Sequence, residues 1–238
     1  MYQYILFDLD GTLTDSAPGI TACVQYALHK MGIEEPDLKK LEPFVGPPLL
    51  DSFHEFYGFD EEQGRKATVY YRERFSTRGI FENEVYPGIE KLLADLKASG
   101  KKLAVASSKP EVYVERILKH FGLWDYFDVV VGSGLDGTRT KKEEVVEEAL
   151  KCLLPEGLFQ EMMETKGREA KDGCPTQYSG TIYNEIAMVG DRRFDVEGAR
   201  EYHIVSVGAA YGYAAAGELE AAGAERIVET VEELSQVL

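Results

Sequence analysis

The chain opens on a short apolar run, Tyr4-Ile5-Leu6-Phe7, that stops at Asp8-Leu9-Asp10-Gly11-Thr12. An unbroken apolar run bounded by turn residues predicts a buried strand. The period then changes. Ile20, Val24, Leu28 and Met31 recur three or four residues apart, with Ser16 and Pro18 ahead of them and Gly32 behind, which predicts a helix. A second helix is predicted near 49–57, after Gly46-Pro47-Pro48. A third runs from about Asp60 to Arg78, with Ala67, Tyr70, Tyr71 and Phe75 on one side and Gly79 closing it. Nothing within 15–83 reads as a strand. The chain is therefore expected to interrupt itself after its first strand with an all-helical module at 15–83, whose aromatic stripe forms its own core.

From Tyr86-Pro87-Gly88 onward the pattern alternates. A helix carries Ile89, Leu92, Leu93 and Leu96 and stops at Gly100. Lys102–Ala106 reads as a buried strand ending at Ser107-Ser108-Lys109-Pro110. A helix with Val114, Ile117, Leu118 and Phe121 follows, then a strand at Phe127–Val131, a glycine-rich loop, and a helix from about Lys141. Ile186–Val189 is a further strand, and Ile204–Val207 and Ile227–Val228 are weaker ones. Strands separated by helices imply α/β architecture, a doubly wound parallel sheet with right-handed crossovers. The expected division is a Rossmann-like core at 1–14 and 84–238 with the helical module inserted between. Ligands of such sheets bind beyond the carboxyl ends of the strands, so Asp8, Asp10, Ser107 and Asp191 should converge at one edge.

The ending of the first strand is chemically odd. Aspartate is depleted from strands, and two carboxylates there crowd like charge that a cation or a proton must offset. An Asx-turn would account for one aspartate and the glycine but not for the pair.

Composition narrows the class. The chain has 238 residues, 44% hydrophobic and 29% charged, which suits one large or two modest soluble domains. No apolar run is long enough to span a bilayer, and the first residues lack a signal-type pattern, so a cytoplasmic location is expected. The net charge of −16 disfavours nucleic acid and anionic membranes as partners. A small anionic substrate stays compatible with it, because a bound divalent metal reverses the local sign. Cys23, Cys152 and Cys174 are odd in number and widely spaced, which fits reduced thiols better than disulfides or zinc. His29, His54, His120 and His203 show no ligand spacing and read as surface or packing residues.

Three more segments complete a pattern: Val105-Ala106-Ser107-Ser108-Lys109, Arg139-Thr140-Lys141-Lys142-Glu143-Glu144-Val145-Val146, and Gly190-Asp191-Arg192-Arg193-Phe194-Asp195. Together with Asp8-x-Asp10-Gly11-Thr12, they resemble the four motifs of the haloacid dehalogenase-like (HAD) hydrolase superfamily, in order and at strand or helix ends. The resemblance covers nearly the whole chain. It is closest to the phosphoglycolate phosphatase-like branch, through Phe44-Val45-Gly46-Pro47-Pro48-Leu49, Val85-Tyr86-Pro87-Gly88-Ile89, Leu135-Asp136-Gly137-Thr138-Arg139 and Tyr211-Gly212-Tyr213. The helical block at 15–83 matches that branch's type 1 cap.

The resemblance implies a Mg²⁺-dependent phosphomonoesterase working through an aspartyl-phosphate, phosphoglycolate phosphatase-like or 5'-nucleotidase-like. Asp8 would be the nucleophile and Asp10 the acid and then base. Ser107 would bind phosphoryl oxygens and Lys142 would offset their charge, with Lys141 as runner-up. The metal would rest on Asp8, Asp10 (through its backbone carbonyl), Asp191 and Asp195, an oxygen set suited to Mg²⁺. Thr12, Ser108 and Gly46 complete the expected substrate-binding set. The partner would be a small phosphorylated metabolite, and the protein a monomer or homodimer. Links at Asp15–Ala17 and Asn83–Tyr86 are hinge candidates.

Rival readings exist. Phosphosugar mutase activity would use the same motifs. Carbon–halide hydrolysis has no use for Asp10. Gly132-Ser133-Gly134-Leu135-Asp136-Gly137 spells a dinucleotide-binding fingerprint, but no helix opens within it and no acidic residue ends a strand about twenty residues on. Arg192, Arg193 and Arg200 read as surface residues. The connection before Ile186 is about thirty residues longer than a short link. Leu158, Phe159, Met162 and Met163 suggest a helical turn or two, and Glu164–Tyr183 a surface loop or hairpin.

Overall fold

The computed structural model describes residues 2–172 and 183–238. The first part of the chain runs β1 (Tyr4–Phe7), β2 (Thr14–Asp15), α1 (Ala17–Lys30), α2 (Leu49–Tyr57), α3 (Glu61–Phe75) and β3 (Glu84–Val85). Next come α4 (Ile89–Ala98), β4 (Lys102–Pro110), α5 (Glu111–His120), β5 (Val129–Ser133), α6 (Lys142–Leu153) and α7 (Glu156–Asp172). The chain finishes with β6 (Ile186–Gly190), α8 (Arg193–Glu201), β7 (Val205–Ala209), α9 (Glu218–Ala222), β8 (Arg226–Val228) and α10 (Val231–Val237).

Six strands form one parallel sheet in the order β5-β4-β1-β6-β7-β8. This is the doubly wound, Rossmann-like arrangement that the alternating pattern predicts. β1 lies at its centre, where the chain turns first toward β4 and later toward β6. Such a reversal leaves a crevice beyond the strand ends. Ile5, Leu6 and Phe7 are fully buried because both faces of the sheet are covered. Their side chains alternate. Ile5 and Phe7 join an apolar cluster with α4, α5 and the helices of the 17–81 stretch, while Leu6 packs with Ala104, Ala106, Met188 and the inner faces of α6 and α7.

Local chemistry explains the helix ends. Pro18 sits in the first turn of α1, where a missing N–H costs nothing. Asp60 and Gln63 form a reciprocal capping box at the start of α3.

Four elements depart from the expectation. β2 and β3 pair antiparallel, Thr14 with Val85 and Asp15 with Glu84, so the two connections to the helical stretch are stitched together. Two-residue strands are too short to show a period. Leu38–Phe44 forms a 3₁₀ helix, whose brevity and Pro43 hid it. The loop expected from Glu164 is instead helical as far as Asp172. The sequence from Glu164 is polar and carries Gly167, which reads as a loop, while Phe159 and Met162 are buried nearer the start of the helix. Lys166 lies over the Tyr202 ring at 3.9 Å and pairs with Glu201 at 2.9 Å. The rest of that expectation, 173–182 with Cys174, lies outside the described residues. Cys23 and Cys152 are free thiols, and Cys23 is buried.

Candidate active site

The sheet register assembles the site. Phe7 is level with Val105 on β4 and with Val189 on β6, and the Asp8 N–H donates to the Val189 carbonyl at 2.9 Å. The residues that follow these three positions therefore emerge together. Asp8, Ser107 and Asp191 are all buried at this edge.

α6 adds Lys142, its first residue. The Lys142 ammonium is 2.8 Å from Asp8 Oδ1 and 2.7 Å from Asp195 Oδ1, and it donates to the Ala106 carbonyl at 2.9 Å. Burial by itself would lower the pKa of this lysine, and a helix N-terminus disfavours a cation. The two carboxylates outweigh both effects and hold it above its usual value. Lys141 is exposed and caps the same helix.

Asp195 stands in the first turn of α8, where its Oδ2 accepts the Arg192 N–H at 3.0 Å. Gly190 makes room for it, since a Cβ there would come within 2.1 Å of the Asp195 carboxyl carbon. Burial pushes the Asp195 pKa up to about 6, with Asp8 adding to the rise and Lys142 opposing it. Asp191 has no exposed surface. Its Oδ2 accepts the Tyr213 N–H at 2.7 Å, and its Oδ1 has no partner. Burial first, then the Asp195 and Asp8 charges, hold its pKa well above the carboxylate range. Gly11, at φ +82°, passes so close that a Cβ would strike Asp191 Oδ2.

Asp8, Asp191 and Asp195 can each bring one oxygen within 4.8 Å of the others. Three buried carboxylates with an unpartnered oxygen need protons or a cation. A donor set of oxygens alone, without His or Cys, fits a hard divalent ion. The Asp10 carboxylate is not part of this group; the ligand expected from Asp10 is its backbone carbonyl.

Asp10 faces the other way. Its Oδ2 is 2.8 Å from the Lys109 ammonium, with both side chains under 10% exposed, and its Oδ1 has no partner. Both residues line a cavity of about 240 Å³ between the sheet edge and the helices, walled by Phe44, Tyr71, Phe75 and Tyr113. Gly46 and Ser108 also line it. Ser107 Oγ accepts the Lys109 N–H at 3.3 Å. Thr12 is buried in the turn and stands outside the cavity wall. Its hydroxyl has no partner, and its carbonyl accepts the Tyr211 hydroxyl at 3.0 Å.

Two residues behave differently from the sequence reading. Arg192 is no surface residue: its side chain is 13% exposed, bonds Glu218 at 3.0 Å and donates to the Val45 carbonyl at 2.5 Å. Lys109 was not singled out at all. The available signal was a lysine ending the apolar strand Leu103-Ala104-Val105-Ala106, where a charge has no cheap place.

The family profile described as haloacid dehalogenase-like hydrolase matches residues 5–209. A protein named 5'-nucleotidase from Pseudomonas aeruginosa is 42% identical over 220 residues, 92% of this chain and 88% of that one. Tyrosine-protein kinase PtkA of Mycobacterium tuberculosis is 35% identical over 238 residues, covering 99% of this chain and 72% of that protein. The crystal structure of a predicted phosphatase from Clostridium acetobutylicum superposes with a TM-score of 0.83 at 45% identity, over 100% of this chain and 98% of that one.

Proposed function

This chain belongs to the haloacid dehalogenase-like hydrolase family as one of its phosphomonoesterases, and on that premise we propose that it is a Mg²⁺-dependent phosphatase of small phosphomonoesters acting through an aspartyl-phosphate. The observation that carries the proposal is the setting of Asp8. It ends the central strand, touches a buried lysine, and shares its site with two further buried carboxylates, one of which has a free oxygen.

In the first step an Asp8 oxygen bonds to phosphorus while the ester P–O bond breaks, and Asp10 gives its proton to the departing alcohol oxygen. In the second, water loses a proton to Asp10 and attacks phosphorus, which breaks the Asp8–phosphorus bond and frees phosphate. The Ser107 hydroxyl donates to a phosphoryl oxygen, and Lys142 offsets the charge of the transferring group. Asp8, Asp191 and Asp195, with the Asp10 backbone carbonyl, would hold the Mg²⁺, which supplies Lewis-acid stabilisation of phosphoryl oxygens when bound. Residues 15–83 act as a cap whose closure keeps water out.

Of the two substrate readings, 5'-nucleotidase-like fits the cavity better than phosphoglycolate phosphatase-like. Its walls are aromatic and it is far roomier than a two-carbon acid needs. The Pseudomonas aeruginosa relative named 5'-nucleotidase points the same way. The relative named a tyrosine-protein kinase makes transfer to an acceptor hydroxyl the reading to test against hydrolysis.

A phosphate-release screen decides. The panel holds nucleoside monophosphates, phosphoglycolate, pyrophosphate, sugar phosphates and p-nitrophenyl phosphate, each with Mg²⁺ and with chelator. Release of phosphate from a nucleoside monophosphate, lost in chelator and in Asp8→Asn, is the expected result. No release from any ester, or full activity in chelator, overturns the proposal. Isomerised sugar phosphate, or label passed from ATP to a tyrosyl peptide without free phosphate, would establish phosphoryl transfer instead.

A further inference from the structure

Lys109 has three neighbours that no step above uses together. Its ammonium pairs with Asp10 Oδ2 at 2.8 Å in a nearly water-free setting. The same nitrogen lies 4.6 Å from the centroid of the Phe75 ring, at the end of α3. Its backbone N–H is tied to Ser107 Oγ, beside Asp8. The strand beneath it is clamped as well. Ser133 on β5 donates to the Ser108 carbonyl at 2.8 Å, and a Cβ at Gly132 would come within 2.6 Å of the Lys109 carbonyl. Phe75 is itself immobilised, stacked on Tyr71 at 5.2 Å and edge-on to Tyr113 at 5.3 Å.

A lysine has a long, rotamer-rich side chain, and fixing it this firmly costs entropy. A mere solubilising charge would not sit here. Asp10 lines the cavity where an ester must enter, with one oxygen on Lys109 and the other buried and without a partner. Whether or not the other oxygen carries the proton, rotating the carboxyl group away from Lys109 would leave a buried ammonium without this acceptor, which is expensive. The free oxygen is thereby aimed.

We propose that Lys109 is a positioning residue for Asp10, holding one carboxylate oxygen so that the other faces the ester oxygen, and that Phe75 makes this hold depend on the placement of α3. The proposal rests on the reading of Asp10 as the group that protonates the leaving alcohol. When α3 packs down, the ring face meets the ammonium and the carboxylate is set. When it lifts, the ammonium loses that contact and gains water, and Asp10 is freed to turn.

Leaving-group chemistry tests this directly. An alkoxide needs a proton as the P–O bond breaks, whereas p-nitrophenolate departs as a stable anion. Both esters share the phosphate, the Asp8 attack and Lys142. The ratio of kcat/KM for an alkyl phosphomonoester, a nucleoside 5'-monophosphate, to that for p-nitrophenyl phosphate therefore isolates Asp10. In Lys109→Met both values fall, and the ratio falls by about tenfold or more, part of the roughly 10²–10⁴-fold that a general acid contributes. Lys109→Arg, which keeps a cation, brings the ratio back to within roughly threefold of wild type. Phe75→Leu lowers the ratio by about threefold, the scale of one partly buried cation–π contact.

A structural or phosphate-binding role for Lys109 lowers both esters equally, and an unchanged ratio in Lys109→Met overturns the proposal. An unchanged ratio in Phe75→Leu overturns its α3 half. Should Lys109→Met not fold, Lys109→Gln is read the same way. The parent reading fails by a different sign: wild-type turnover that survives Asp8→Asn refutes the covalent mechanism whatever the Lys109 ratio does.

Discussion

Asp8 and Asp10 stand two residues apart and live in different surroundings. Among the described residues, the charged groups gathered at the Asp8 carboxylate come from the sheet edge and the helices behind it: Lys142 from α6, with Asp195 from α8 and Asp191 alongside. Asp10 is shared. Lys109 comes from β4, but the walls around the pair, Phe44, Tyr71 and Phe75, belong to the helical stretch. One carboxylate is held by a frame fixed by parallel register, and the other is held partly by elements inserted into the chain. Tyr71 registers this closeness, because burial raises its pKa and the charges of Cys23 and Asp10 add to the rise. On the proposed mechanism, bond-making would fall to the side fixed by strand register, and proton transfer and substrate choice to the place where the two parts meet.

The severest test of this contrast is on the Asp8 side. Lys142→Met removes the cation between Asp8 and Asp195 and leaves buried carboxylates facing one another. Turnover is expected to fall by roughly 10²–10³-fold, the scale of losing one preorganised charge-stabilising donor. It should fall equally for nucleoside monophosphate and p-nitrophenyl phosphate, unlike the Lys109 variants. Melting with saturating Mg²⁺ separates this from unfolding, since a divalent cation restores the missing positive charge. A Lys142→Met enzyme that folds and keeps wild-type turnover would undo the assignment, and Lys141→Ala would then be the variant to examine.

On the proposed reading, proton and metal would compete for the same oxygens. Asp195 titrates at about 6 in the folded chain, Asp191 is also raised, and both return to the ordinary aspartate value on unfolding. A raised carboxyl binds more protons folded than unfolded between those values. Their contribution to the stability of the metal-free protein is therefore fullest below the unfolded pKa and is lost as pH rises through the folded one. A divalent cation does the proton's work above that window. Mg²⁺ should raise the melting temperature by roughly 5–10 °C at about pH 7.5 and by little at about pH 5, if it binds well above its Kd. An equal shift at both pH values, or none at the higher one, counts against a metal on these three aspartates.

The asymmetry between the two sides also explains what could be seen in the sequence. The strand runs Tyr4–Phe7, Leu103–Ala106 and Ile186–Val189 are continuous and apolar, so β1, β4 and β6 were legible, and with them the level at which Asp8, Ser107 and Asp191 emerge. Parallel neighbours in register leave little freedom there. Lys109 was hidden because its meaning depends on Asp10 and Phe75, far away in the chain and joined only by folding. Arg192 was hidden for the same reason: its partner Val45 lies 147 residues away. β2 and β3 were too short to carry a period, and the polar sequence from Glu164 onward masked a helix as a loop. Local pattern revealed what the sheet dictates, and contacts between inserted and framing segments escaped it.

On the Asp10 side the expected effects are smaller and fall on binding. Leu50 lines the cavity, is 38% exposed, and belongs to α2. Leu50→Glu places an anion where an anionic ester enters, at about 1 kcal/mol for a partly screened like-charge pair, or roughly a fivefold rise in KM for nucleoside monophosphate. The value of kcat should stay within about twofold, because no frame residue is disturbed. A matching fall in kcat would mean that α2 reaches the chemistry, and the division drawn here would be too sharp.

The smallest effect is expected at a charged contact that crosses between the two sides behind the three aspartates. Arg192 follows Asp191 directly. Its guanidinium holds the Val45 carbonyl and Glu218, and its Cγ would lie 3.1 Å from a Cβ on Gly46, which has φ +100°. Burial would raise the pKa of Glu218, but the Arg193 and Ala215 N–H groups and Arg192 together bring it below the usual value. Arg192 thus pins the Gly46-Pro47-Pro48 wall of the cavity to the loop that carries Asp191. Arg192→Lys keeps the charge but cannot span both partners, and should forfeit one hydrogen bond, about 1 kcal/mol. If the wall only shapes the cavity, that appears as a roughly fivefold rise in KM with kcat unchanged. If kcat falls and the Mg²⁺-dependent melting shift shrinks with it, the wall and the metal loop move as one, and the rigid side extends further into the helices than the strand register requires.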